Sequence, residues 1–262
     1  MVTRALARLA CLGAFLGLAA CSGKPRAEEA AHSVPVPSGA APAGDAATAH
    51  VAHAATGDLQ IRVAWPDVPV VARSSPGRTP CNTPRAASVA PTTTWGVPDA
   101  LVIVEGAAPP VASAHVTLAD CTLAPRLAVG SGLAITSAVD RPARLVLRKR
   151  GTVATLGQLT AGEPVPVMLP IAGHTVTAAL DAGAIYALET SAGDPEVAFI
   201  AAVPSGYVTD ASGQVIAHNL AVGPHAVTAW LPPRAGQPAR IGRGTATVAA
   251  GDLAELTVTF AP

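Results

Sequence analysis

The sequence predicts an all-β protein, a β-sandwich placed behind a cleaved leader and a disordered linker. Three observations predict it: apolar residues alternate with period two in short runs, turn residues punctuate those runs at regular intervals, and no helical period of useful length occurs. The 24 glycines and 25 prolines point the same way, towards short strands and turns. Half of the 262 residues are hydrophobic, enough for a core of ordinary size without metals or many staples.

The first strand reads DLQIRVAW, in which Leu59, Ile61, Val63 and Trp65 share one face before Asp67 and two prolines break the pattern. Further strands are expected over 99–104, 115–118, 133–139, 144–148, 165–169, 175–180 and 184–188. The series continues over 196–203, 214–217, 226–231, 245–249 and 253–260. Turns are expected at DAG (181–183), DASG (210–213) and AAGD (249–252). Arg148, Lys149 and Arg150, followed by Gly151, read as a solvated β-turn with no function. Formal net charge is zero and the only lysines are Lys24 and Lys149, so no field draws in a polyphosphate and nucleic acid is not an expected partner.

Arg4 and Arg8 precede an apolar run from Leu9 to Ala20, the charged and apolar regions of a secretory signal too short to remain as a membrane span. The run ends in Leu18-Ala19-Ala20-Cys21, which resembles the lipobox of bacterial lipoproteins. That resemblance implies cleavage after residue 20, a diacylglyceryl group on the Cys21 sulfur, and anchorage to a membrane of the cell envelope. Two or more acyl chains suffice for stable anchoring where one is marginal. Ser22 rather than aspartate favours the outer over the inner membrane, with the body in the periplasm or at the cell surface. Residues 21–56 form an Ala/Pro-rich tether without aromatic residues or runs of large aliphatics, expected to be disordered, and His32, His50 and His53 within it read as scattered linker residues. The body is then 57–262, either one region or two halves meeting at 170/171.

Within the body, Tyr207, Thr209, Asp210, Gly213, Gly223, Pro224 and Trp230 resemble the closing element of carboxypeptidase-regulatory-like and methylamine-utilisation-type cupredoxin-like secreted proteins. The stretch from Leu59 through ALVIVEG to LADCTLAPRLAVGSGLAI resembles the front of the same proteins. The resemblance implies a cupredoxin-like or transthyretin-like sandwich with an immunoglobulin-type Greek key: a cupredoxin-like half over 57–170 and a carboxypeptidase-regulatory-like half over 171–262. Cupredoxin-like proteins often hold copper through two histidines, a cysteine and a methionine. Here the first ligand falls near Ala143 or Arg144, and residues 133–150 contain no His, Cys or Met. The other three fall between Ala184 and Ile200, in a register that offers Asp194, Pro195 and Val197. The resemblance therefore implies a scaffold without metal or other cofactor.

Cys11 leaves with the leader and Cys21 carries lipid, so Cys81 and Cys121 remain and are expected to pair in an oxidising compartment. Closing that loop contributes roughly 4 kcal/mol in the chain-entropy model. The rival is a thiolate metal ligand at Cys121 beside His115, with too few ligands for a closed site. His174, His218 and His225 lie in or near strands, and their convergence is left open. Asp140, Asp181, Asp194, Asp210 and Asp252 sit beside turn residues, where bonding to the backbone accounts for them. Trp230 fits a strand core and Trp95 an exposed contact. No hydrolase, metalloprotease or nucleotide-binding motif occurs, so no catalytic residue is assigned.

The expectation is a non-catalytic envelope lipoprotein that binds a protein, peptide or glycan through loops. The alternatives are a periplasmic copper-binding or electron-transfer protein, and a glycan- or peptide-binding accessory domain.

Overall fold

The computed structural model describes residues 55–68, 96–108, 112–191, 197–233 and 237–261. The leader, Cys21, the tether histidines, Cys81, Trp95, Asp194 and Pro195 lie outside the described residues.

The described chain is all β apart from one short 3-10 turn. Its strands are β1 (Thr56–Ala64), β2 (Leu101–Val104), β3 (Ala114–Ala119), β4 (Thr122–Ala124), β5 (Leu127–Val129) and β6 (Gly132–Ser137). After these come β7 (Ala143–Thr152), β8 (Pro164–Leu169), β9 (Thr175–Ala179), β10 (Ala184–Thr190) and β11 (Val197–Ala201). The series closes with β12 (Gly206–Val208), β13 (Gln214–Ala221), β14 (Gly223–Leu231), β15 (Arg240–Val248) and β16 (Leu253–Thr259).

Four sheets result: β13-β1-β16, β12-β2-β14-β15, β5-β11-β10-β7-β8 and β4-β3-β6-β9. Three hydrophobic layers hold them together. Leu59, Ile61 and Val63 of β1 meet Val102, Val104, Val227 and Ala229 between the first two sheets. Val116, Leu133 and Ile135 meet Leu145, Leu147, Tyr186 and Leu188 between the last two. Leu101 and Trp230 meet Ile185, Ala187 and Phe199 in a layer joining the second sheet to the third. The arrangement is thus two face-to-face sheet pairs packed against each other. Inner strands are buried on both faces, which is why β2 and β10 read as unbroken apolar runs whereas β1 alternates.

The pairs are nested along the chain. The first pair uses β1, β2 and β12 to β16, and the second uses β3 to β11 in between. A division at 170/171 falls between β8 and β9, inside the second pair.

One local expectation is corrected. Arg148 to Arg150 is not a turn but part of β7, paired to β10 on one side and, through Arg148, to β8 on the other. Arg148 and Arg150 grip the carboxylate of Glu189 at 3.2 and 3.5 Å, and Lys149 reaches Asp181 at 2.8 Å. The three-residue strands β4, β5 and β12 had no periodicity to announce them.

The outermost strand of the third sheet shows how its edge is protected. β8 pairs with β7 alone, and proline has no N–H to give a ladder. Val165, Val167 and Leu169 must therefore bond to β7, leaving Pro164, Pro166 and Met168 to face outward. The free edge offers a single N–H over the strand and so resists strand addition. Replacing both Pro164 and Pro166 by threonine is expected to cause self-association, visible by light scattering at concentrations where the parent is monodisperse. An unchanged scattering radius would count against this role for the prolines.

Candidate binding cavity

The β3–β4 hairpin turns on Asp120 and Cys121, with φ of 45° and 62°. Two successive positive φ values suit the right-handed twist of a two-residue hairpin, although neither residue is the usual Asn or Gly. The turn projects Cys121 beyond the end of the second sheet pair. Cys121 is disulfide-bonded, and its partner lies outside the described residues.

Beside it, the β6–β7 loop is fixed by the buried Ser137. Its hydroxyl accepts from Val139 N and donates to Val139 O, both at 3.3 Å, and Ala138 N donates to Leu118 O at 2.8 Å. The loop carries Arg141, Pro142 and Ala143 over the end of the core, and Arg141 Nη2 lies 3.8 Å from Cys121 Sγ. Opposite stand Thr190 and Ser191 at the end of β10, with Thr190 in register with Leu145.

These elements line a cavity of about 350 Å³ that is broadly open to solvent, the low end of the range for small-molecule sites. Its floor is apolar, made by Leu118 and Leu145, both part of the second core, with Val139 and Pro142 on its wall. Arg141 and Arg144 line it together with Thr190 at the end of β10 and Ser191 just after it, and none of the described lining residues is a carboxylate. Sequence reasoning did not single out Arg141, Thr190 or Ser191, and it met Arg144 only as the place of a missing copper ligand. The available signal was the DRPAR segment at the head of a strand, two guanidiniums bracketing a proline.

The other singled-out residues are dispersed. His115 Nε2 lies 2.9 Å from Thr136 Oγ1, on the exposed face of the fourth sheet. With Cys121 in a disulfide, the thiolate alternative that joined it to His115 does not hold. His174 is exposed after β8. His218 Nδ1 is 2.9 Å from Asp58 Oδ2, and the hydrogen bond from His218, with a second from Asn219 N, holds the Asp58 carboxyl below its ordinary range. That pair braces the β1–β13 irregularity at Asp58, where Asn219 has φ of 57°. His225 is buried with its ring nitrogens 2.8 and 2.7 Å from the carbonyl oxygens of Glu105 and Ala221. His174, His218 and His225 do not converge, and among the described residues no group of three His, Cys, Asp or Glu could hold a metal ion.

Comparison with protein-family models, with curated proteins and with solved structures finds no match to this chain.

Proposed function

We propose that this chain is a lipid-anchored envelope protein, held through Cys21 and a tether over 22–56, whose body is a non-catalytic binding module that takes its ligand in the cavity beside Cys121. The observation that carries the reading is the cavity itself: about 350 Å³ at the loop end of a sheet pair, with an apolar floor and a cationic, hydroxyl-bearing wall. Export is supported by the LAAC tetrapeptide behind a charged and apolar leader, and the disulfide at Cys121 is consistent with an oxidising compartment. Cys81 is its proposed partner. On this reading the body descends from the cupredoxin-like or transthyretin-like sandwiches and holds no copper. Ala143 and Arg144, where the resemblance puts a first ligand, line the cavity and offer no soft or imidazole donor.

A small ligand suits this body better than a glycan. Sugar-binding faces use exposed aromatic platforms, and among the described residues Trp65, Trp230, Phe199, Phe260 and Tyr186 are buried and Tyr207 is half-buried.

The anchor is tested by labelling cells with radioactive palmitate and comparing the protein with its Cys21→Ser variant. Label on the parent alone is the expected result. An unlabelled parent would sink the anchored reading, and stoichiometric copper in the purified protein would overturn the metal-free one.

A further inference from the structure

We infer that the cavity binds a small organic anion with an apolar body, most simply an alkyl carboxylate, the head on Arg144 and the chain against the apolar lining at Val139, Pro142 and Ala143. The inference rests on the proposed reading of the body as a binding module and names the ligand class of that site.

Three features select this chemistry. Over the buried Leu118 and Leu145, the half-buried Val139 and Ala143 and the exposed Pro142 give the cleft an apolar lining, which an apolar group covers without leaving polar groups unpaired. The described lining contains two guanidiniums and no carboxylate, which favours an anion and repels an amine. Arg141 is already engaged at the Cys121 sulfur, whereas Arg144 is exposed at the head of β7, where a carboxylate can approach it as a planar fork. The volume of about 350 Å³ suits a medium chain and not a long one.

Arg144 is not a fold element. It sits at the exposed start of its strand, so its replacement leaves the core intact. Ser191, just after β10, lines the same opening and brings a hydroxyl to it.

The test is calorimetric titration of the full chain carrying Cys21→Ser, so that neither lipid nor detergent competes, with octanoate, octanol and octylammonium as probes. Octanoate is expected to bind with one site per chain, octanol about tenfold more weakly, and octylammonium not measurably. Arg144→Glu is expected to weaken octanoate at least tenfold and leave octanol unchanged, while Ala143→Phe, which fills the opening, weakens both. A thermal melt of each variant checks that it is folded. Equal binding of octanoate and octylammonium, insensitivity to Arg144→Glu, or no binding of octanoate at millimolar concentration would each overturn the inference. The anchored reading stands or falls separately, by palmitate label on Cys21.

Discussion

Replacing Trp230 with alanine is expected to lower the unfolding free energy by about 4 kcal/mol, near the top of the range for deletion of a large core side chain. Trp230 lies on β14 and is fully buried. Its ring meets that of Phe199 edge-on, with centroids 5.6 Å apart and planes at 88°. Around this contact sit Leu101, Ile185, Ala187 and Ala201, which together form the layer joining the two sheet pairs. The indole Nε1 is buried without a hydrogen-bond partner, so the site stabilises by apolar contact alone and has no polar interaction to retain after truncation. Collapse into the space is restricted, because both flanking sheets are held by cores on their other faces.

The layer also couples the two pairs, so the denaturant transition of Trp230→Ala is expected to broaden as well as move to lower concentration. Unfolding followed by far-ultraviolet circular dichroism checks both. A loss below about 1 kcal/mol with an unchanged slope would mean that the third layer contributes little to cohesion.

The same layer shows where the sequence was legible. A strand with one wet face records its own orientation, as β1 does with Leu59, Ile61 and Val63 fully buried and Gln60 and Arg62 turned outward. A strand buried on both faces records only that it is apolar. Leu101–Val104 and Ala184–Leu188 announce strands, but not that each touches two cores, because that depends on partners distant in the chain. The basic run at 148–150 misled for a related reason. Three charges suggest solvent, yet Glu189 on the neighbouring strand meets two of them and Asp181 the third.

The cavity was illegible as a site because its walls come from three separated segments, around Cys121, Arg141 and Thr190, that meet only through pairing across two sheets. What the sequence did record there was the cysteine, since residue type alone implies a bond in an oxidising compartment.

The motif at 209–213, part of a family resemblance, turns out to have a local structural task, and Gly213→Ala tests it. Thr209 is buried, and its hydroxyl donates to Val97 O at 2.8 Å while accepting from Ala100 N at 2.9 Å. Asp210 accepts at one carboxylate oxygen from Ser212 N, Ser212 Oγ and Gln214 N. Burial works against the charged form of Asp210, but these bonds outweigh it and keep its carboxyl below the ordinary range. Gly213 closes the turn by donating to Asp210 O at 3.0 Å, and its own carbonyl accepts from Val63 N at 2.9 Å. The motif thus fastens β1 and the segment before β2 to the β12–β13 turn.

Gly213 has φ of +72°, and a Cβ there would lie 2.3 Å from Val97 N and 2.8 Å from Gly96 C. Both are backbone atoms, and Val97 is held on two sides, its N donating to Val63 O at 2.9 Å and its O accepting from Thr209, so the segment cannot retreat without breaking those bonds. Gly251 is the control: its φ is +73°, but a Cβ there meets nothing within 4 Å. The conformational cost is therefore shared, about 1–2 kcal/mol for an L residue in the left-handed region, and the difference isolates the close approach. Gly251→Ala is expected to lose about 1 kcal/mol and Gly213→Ala at least about 3 kcal/mol, both read from denaturant midpoints at constant slope. Equal losses would mean that conformation alone fixes Gly213, and that the segment around Val97 yields more easily than its hydrogen bonds imply.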